Sequence, residues 1–490
     1  MIKFFIHVHR ILGLLLCILC FLWCISGIVL IYHSFPRVGP DKRLPRQEAL
    51  DTSRLPAINE IRQRLPQNVL SNNFNLNNPF GEPVFHYGRW REVTDLYADS
   101  TYILPSPIYS LCEERAKYWC PDRNITEVDT LRKLEVWIPF GQLKKDLPIY
   151  KFYFDGPEHY QLYISSRTGN ILQFSSREQR FWAWIGAIPH WLYITSIRQD
   201  IQKWDTLLYW SCLLSLIMCI SGIFLGIRAY WLARRKGFLH SPYTKPWFRW
   251  HHITGFFFGI FICTWLFSAW APISPTFSNL FNNNKKAGNA FRSRPSIPAA
   301  PPIEKYNLDY RKAIAEVSKT HGPVKEITWS NYNDIPLYKL RTVEKEIILD
   351  ASADSIRPFQ ITEETIYAAV KKLTADTVHY TIVKMEEYDN YYISRRRTLP
   401  LPVYKVTLDN ESGDCYYYNL KSFQPQHYDN NGRWKRWAFR GLHRLDFKFL
   451  IDRPVLWTIV MWGLLLGCTF VSVSGIVLSV KYIIRLVKRR

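Results

Sequence analysis

The sequence predicts an α-helical membrane bundle of four transmembrane helices with α+β extracytoplasmic domains, built by an internal parallel duplication. Three observations lead there. The 490-residue chain is 48% hydrophobic, and its apolar residues gather in four uncharged runs, 11–32, 206–227, 253–273 and 455–480. Basic residues crowd the run ends on one side of the predicted membrane. Histidine, tryptophan and serine recur at matching spacings in the two halves of the chain.

Each run is 21 to 26 residues long, and a helix of about 20 residues crosses the roughly 30 Å hydrocarbon core. The first run exceeds a secretory signal core and no Ala-x-Ala site follows it, so an uncleaved anchor is expected. Lys3 and Arg10 precede the first run, and Arg228, Arg234, Arg235, Lys236, Lys245 and Arg249 lie between the second and third. Lys481, Arg485, Lys488, Arg489 and Arg490 follow the fourth, and no acidic residue accompanies any of the thirteen. The bias of Lys and Arg toward the cytoplasm predicts cytoplasmic termini, a cytoplasmic loop at 228–249 and large domains on the opposite side. Part of the net charge of +22 is then a topology signal. No soluble basic domain is visible, so no nucleic-acid partner is expected.

The chain divides accordingly. Residues 1–32 carry the first transmembrane helix, and 33–204 a first outer domain with a C-terminal interfacial segment. Residues 205–275 hold helices two and three with the basic loop. Residues 276–454 form a second outer region with two modules and an interfacial segment, and 455–490 hold the fourth helix and a basic tail. In the second region "NLDYRKAIAEVSKTHGPVKEITW" reads as a helix then a strand, and "IPLYKLRTVEKEIILDASAD" as two strands and a turn. "ITEETIYAAVKKL" starts a second unit, with Thr362 as its N-cap. "VYKVTLDNESGDCYYYNL" closes that unit as a hairpin. A helix over 53–65 and the hairpin "HYQLYISSRTGNILQFSS" give the first domain the same content. Each unit reads as a helix on an antiparallel sheet, and the two segments are expected to form two separate lobes. "ASADSIRPFQ" reads as a connector and 282–305 as a Pro- and Asn-containing linker. Cys112 and Cys120 are candidates for a disulfide, and Cys415 stands alone in its segment. The other seven cysteines fall in the membrane runs, where they serve as small packing residues.

The duplication is read from spacing. His9 lies four before Gly13, fourteen before Trp23 and seventeen before Ser26; His251 stands in the same relation to Gly255, Trp265 and Ser268. His190 lies fourteen before Trp204 and thirty-one before Ser221-Gly222, and His443 matches it with Trp457 and Ser474-Gly475. Odd runs match odd and even match even, so the repeats are parallel, related by an axis along the membrane normal.

"WHHITGFFFGIFICTWLFSAWAPISP", "IPHWLYI" and "LHRLDFKFLIDRPVLW" resemble the PepSY-associated transmembrane family over nearly the full length. "ISSRTGNIL" and "LDNESGDCYYY" resemble the closing hairpins of PepSY domains. The resemblance implies a multi-pass protein of the bacterial inner membrane, with periplasmic PepSY-like domains. Some members look like b-type haem reductases acting on ferric siderophores. Some relatives carry a fused flavin reductase; this chain ends at Arg490, so its donor is expected to be separate.

The chain holds thirteen histidines. One interfacial histidine is ordinary, but each of His9, His251, His190 and His443 has an equivalent in the other half. Two neutral imidazoles facing each other in a helical bundle supply both axial positions of one haem iron. His9 with His251 is the expected cytoplasmic-side pair, His190 with His443 the outer pair, and the cofactor two haem b. His7 and His252 stand as alternatives to their neighbours. Bis-histidine ligation leaves no open iron position and suits electron transfer. Arg10, Arg440 and Arg444 are candidates for haem propionates, or for snorkelling to headgroups. Asp446 is expected to orient His443 or to cap a helix. The function that follows is transmembrane electron transfer. The donor is a cytoplasmic reductase or quinol, and the acceptor a periplasmic ferric chelate or protein, with lipid as the surrounding partner. The alternative is a haem-free membrane-anchored module binding a peptide, a protein or an iron chelate. The sequence shows no nucleophile–base pair, phosphate loop or zinc motif.

Overall fold

The four apolar runs form four helices long and apolar enough to cross a membrane: Ile2–Leu30, Ile201–Arg235, Pro246–Ile273 and Pro454–Val487. The structure, a computed structural model, describes residues 2–66, 74–89, 92–103, 108–237, 240–275, 277, 305–373, 379–423 and 425–488. All four helices outrun the uncharged stretches, because polar and basic residues continue the helical hydrogen bonding beyond the apolar core. Their starts are locally encoded. The Asp200 side chain accepts from the backbone N–H groups of Gln202 and Lys203 at the head of the second span. Pro246 and Pro454 occupy first-turn positions where a missing N–H costs nothing. Each span packs on two neighbours: the first on the second and fourth, the third likewise. Cys24, Cys219 and Cys468 fill the interior with Leu216, Ile262 and Leu266, where a small thiol lets helices approach. Large apolar side chains such as Leu15, Ile260 and Val455 point outward, toward lipid.

The start of the first span, the end of the fourth and the residues described between the second and third lie at one end of the bundle, here the terminal end. The strands lie at the other, the domain end. After the first span the chain forms β1 (Phe74–Asn77), β2 (Val84–Arg89), β3 (Glu92–Tyr97), β4 (Ile125–Leu131), β5 (Ile149–Phe154), β6 (Gln161–Ser165) and β7 (Ile171–Ser175). After the third span come β8 (Glu326–Tyr332), β9 (Ile335–Arg341), β10 (Glu346–Asp350), β11 (Arg357–Pro358), β12 (Tyr380–Met385), β13 (Val403–Leu408), β14 (Cys415–Asn419) and β15 (Gln426–Tyr428).

These strands make three antiparallel sheets, and the largest corrects the expectation of two separate lobes. Its order is β11-β10-β9-β8-β1-β2-β3. The seam pairs Leu76 of the first segment with Ile327 of the second. Helices Ile58–Arg64 and Tyr310–His321 bury Ile61, Tyr310 and Ile314 against Phe74, Phe85 and Trp329 of this sheet. Completing that core needs both segments, which is why neither closes on its own. The helix expected over 53–65 is therefore shorter, and it packs on this sheet rather than with the 161–175 hairpin. That hairpin belongs to the four-stranded sheet β4-β5-β6-β7. Its covering helix, Ile108–Trp119, went unread in the sequence; Cys112, Ala116 and Trp119 pack there on Phe152, Leu162 and Ile164.

The third sheet, β12-β13-β14-β15, carries helix Glu363–Leu373, whose Ile366 and Val370 pack on Tyr404 and Val406. Thr362 caps that helix as read, its Oγ1 accepting from the Thr365 N–H at 3.3 Å. The connector holds the short edge strand β11. Residues 282–304 of the linker, with Arg489 and Arg490, lie outside the described residues.

The disulfide is also corrected: Cys112 and Cys120 are both free and buried. They sit eight residues apart along one helix and its last turn, about 12 Å at 1.5 Å per residue, beyond the span a disulfide bridges.

Candidate functional site

The helical path from Ile2 places His9 on the first span itself, and His251 occupies the matching level of the third. Their ring centroids lie 6.3 Å apart. At the domain end His190 closes the short helix Ala187–His190 and His443 sits in Leu442–Arg444, with centroids 6.2 Å apart. Neither residue of this second pair is on a span. Each is held by a segment that doubles back, and the two segments reverse by the same device. The residue two after each histidine is a leucine in the left-handed region, Leu192 at φ 49° and Leu445 at φ 52°. A leucine there costs about 1–3 kcal/mol, a strain the surroundings must hold in place. Trp204 and Trp457 supply part of that restraint. Their indole N–H groups donate to the carbonyls of Trp191 at 2.8 Å and Arg444 at 3.3 Å, the residue after each histidine. The Trp23 indole also donates to the His190 carbonyl at 3.1 Å.

All four rings are anchored through Nδ1. His190 meets Ser26 Oγ at 3.0 Å, His443 meets Ser268 Oγ at 2.9 Å and His251 meets Ser474 Oγ at 2.9 Å. His9 meets the Met218 carbonyl at 2.9 Å, and Ser221 donates to that same oxygen. The serines fix the tautomer. Ser26, Ser268 and Ser474 donate their one hydroxyl proton to the carbonyls of Trp23, Trp265 and Val471. Each serine oxygen must therefore accept from its histidine's Nδ1–H, and the Met218 carbonyl can only accept. Every Nε2 is left with its lone pair, and among the described residues none of the four makes a hydrogen bond. This is the arrangement in which a metal-ligating imidazole is oriented through its other nitrogen.

The alternatives fare differently. His7 is exposed on the first span. His252 has both nitrogens engaged, with Ser241 Oγ at 2.9 Å and the Gly226 carbonyl at 3.0 Å, and its ring stacks on Tyr230. It ties the 236–245 connection to the second span. Asp446 does not orient His443, whose Nδ1 goes to Ser268; its carboxylate lies 3.4 Å from Arg444 Nε, and burial pushes its carboxyl pKa up. Arg10 lies 5.0 Å over the Tyr482 ring.

Each pair lines a cavity, of about 1310 Å³ at the terminal end and about 780 Å³ at the domain end. Cys20 and Ile262 line both. A first-row metal–imidazole bond is about 2 Å and a ring nitrogen lies about 1 Å from its ring centre, so two axial imidazoles put their centroids about 6 Å apart. Both pairs meet that spacing. The terminal cavity also has room for a flat macrocycle: at Gly13 and Gly255, four residues after each histidine, no atom lies within 4 Å of an added Cβ. At Gly222 a Cβ would instead fall 2.5 Å from His9 Cε1. Both pairs are therefore spaced as two axial imidazoles of one haem iron, and the terminal cavity has room for the ring. No group of three metal-ligating side chains forms among the described residues.

The model of the PepSY-associated TM region matches residues 6–481. The chain belongs to the PepSY-associated TM family. No curated protein matches it. The match runs through all four spans and both paired-histidine levels of this PepSY-associated protein, a membrane protein in contact with lipid along its spans. Sequence reasoning named the histidines by their spacing and used the serines and Trp204/Trp457 only as markers of a repeat. Those markers are the anchors. The left-handed leucines carried no signal, because nothing in a single sequence distinguishes such a leucine from any other.

Proposed function

We propose that this protein carries electrons across the bacterial inner membrane, from a cytoplasmic reductase or quinol at the terminal end to a periplasmic ferric chelate at the domain end. His9 and His251 would hold one haem b, and His190 and His443 another. The observation that carries the reading is the pair of histidine couples, each with Nδ1 pinned, Nε2 free and centroids 6.2 to 6.3 Å apart. When bound, haem supplies a one-electron Fe(III)/Fe(II) couple with both axial positions filled.

The chain's own residues do the rest. The serines and the Met218 carbonyl hold each imidazole correctly turned. The spans exclude water. Cys20 and Ile262 line both cavities, which supports a reading of two sites in series. The matched anchors in the two halves support a duplicated origin, with termini in the cytoplasm by the distribution of basic residues.

A dithionite-reduced minus oxidised absorption spectrum of the purified chain tests the reading. Two low-spin signals are expected, insensitive to substitution of His86, His159, His321, His379 or His427. A colourless protein at full occupancy of the membrane would leave the haem-free binding module in its place.

A further inference from the structure

We infer that the mouth of the domain-end cavity is a binding site for an anionic acceptor, a ferric chelate bearing free carboxylate or comparable negative groups, in preference to a neutral or cationic one. The inference rests on the electron-conduit reading above and adds the charge class of the substrate.

Four arginines line this one cavity: Arg395, Arg396, Arg440 and Arg444. They come from two sources. Arg395 and Arg396 sit on the long connection between β12 and β13, which leaves the third sheet and enters the bundle mouth. Ile393 of that connection is buried with Leu445, Trp457 and Leu465. Arg395 is fixed there, its guanidinium 4.4 Å over the Trp457 ring and its Nη2 donating to the Ile31 carbonyl at 3.3 Å. Arg440 and Arg444 are one helical turn apart on the segment that carries His443.

Carboxylates are scarce. Among the described residues Asp446 is the one acid lining the cavity, and it meets Arg444. Among the described residues no acid pairs with Arg395, Arg396 or Arg440. Asp446 is itself 5% exposed, and its Oδ1 is buried with no hydrogen-bond partner.

Four guanidinium groups gathered around a single carboxylate repel one another, an arrangement that an incoming anion relieves. A haem carries two carboxylates. Were both neutralised here, and Asp446 ionised, the mouth would still hold one unit of positive charge. Guanidinium forks favour carboxylate by paired, charge-assisted hydrogen bonds. A concave site of one sign also concentrates ligands of the other. The two anion sources, haem carboxylates and a soluble chelate, share this chemistry and are separated by the test.

The purified, haem-loaded full chain is titrated with gallium(III) citrate, a redox-inert anionic stand-in, and with a cationic gallium trishydroxamate, by calorimetry. The anionic chelate is expected to bind at least tenfold tighter, with affinity falling as salt is raised. An Arg396→Gln variant should lose about tenfold of the citrate affinity, the scale of one charge-assisted contact, and keep both low-spin signals. The Arg396→Lys variant should recover part of it, which a misfolded protein would not. Equal binding of the two chelates by the native protein overturns the inference. So does loss of a low-spin signal in the Gln variant with chelate affinity intact, since the arginines would then serve haem alone. A native protein without any low-spin signal defeats the electron-conduit reading instead, whatever the chelates do.

Discussion

The two histidine pairs share a spacing and a mode of anchoring, yet they are carried differently. His9 and His251 ride on continuous helices, so helix packing alone sets their separation. His190 and His443 ride on reversed segments outside the spans, held by strained leucines and by Trp204 and Trp457. The terminal pair is thus a property of the bundle. The domain pair is a property of the joint between bundle and sheets, since the same segment that carries His443 also carries Arg440 and Arg444. Rigid elements give the more exact geometry. A joint would give an acceptor at the cavity mouth, as proposed above, a route to the nearer site.

The largest test of this comparison removes ligands. His9→Ala or His251→Ala should abolish one low-spin haem signal, and His190→Ala or His443→Ala the other, as read by difference spectra. His252→Ala should abolish neither, because its nitrogens are already committed to Ser241 and Gly226. If losing His190 erased both signals, the two sites would not be separately built.

Next in size is Gly222→Val. An added Cβ there falls 2.5 Å from His9 Cε1, so the ring or the helix must move, and the terminal signal should be lost with the domain signal intact. Gly475→Ala, whose Cβ would sit 3.6 Å from His251 Cε1, is ordinary contact and should leave both.

How much of this was legible depends on the range of each determinant. The spans are local, so the uncharged runs were enough to find them; Asp200 and the two prolines, equally local, went unread as their starts. The pairing of His9 with His251 was readable because the same spacings of Gly, Trp and Ser follow each histidine. The seven-stranded sheet was not readable. Its seam, Leu76 against Ile327, joins residues about 250 apart in the chain, and alternation in either strand is satisfied equally by a closed lobe. Cys112 and Cys120 misled for the opposite reason: proximity in sequence suggested a pair, while the helix between them holds the thiols apart.

A smaller effect is expected from the serines. Ser474→Ala and Ser268→Ala each leave a histidine Nδ1–H without its acceptor. Losing such an orienting partner weakens metal-ligand sites by about 10–100-fold, which haem titration of the stripped protein would measure. The comparison predicts a difference between ends. At the terminal end the helix still points His251 inward, so the loss should fall at the lower bound. At the domain end the bond to Ser268 is one of few ties between the reversed segment and a span, so the loss should be greater. Equal losses at both ends would remove the distinction between bundle and joint.

The smallest effect concerns the tryptophans, and it separates the two halves within the domain end. Trp204→Phe and Trp457→Phe keep an aromatic ring and delete one N–H. A single hydrogen bond contributes about 0.5–1.5 kcal/mol net, so neither change should unfold the protein. The Trp204 bond is 2.8 Å and the Trp457 bond 3.3 Å, so by bond length alone the first would cost more. Trp23 partly offsets it by holding the His190 carbonyl. The matching indole in the other half, Trp265 Nε1, is buried without a partner. His443 therefore has one fewer restraint than His190. Measured as the midpoint for thermal loss of the domain-end signal, Trp457→Phe should show the larger drop if these restraints act together. If bond length alone decides, Trp204→Phe should. We expect the former, because a strained leucine turn opens at whichever segment has fewer ties, and Leu445 follows the histidine that Trp265 leaves unsupported.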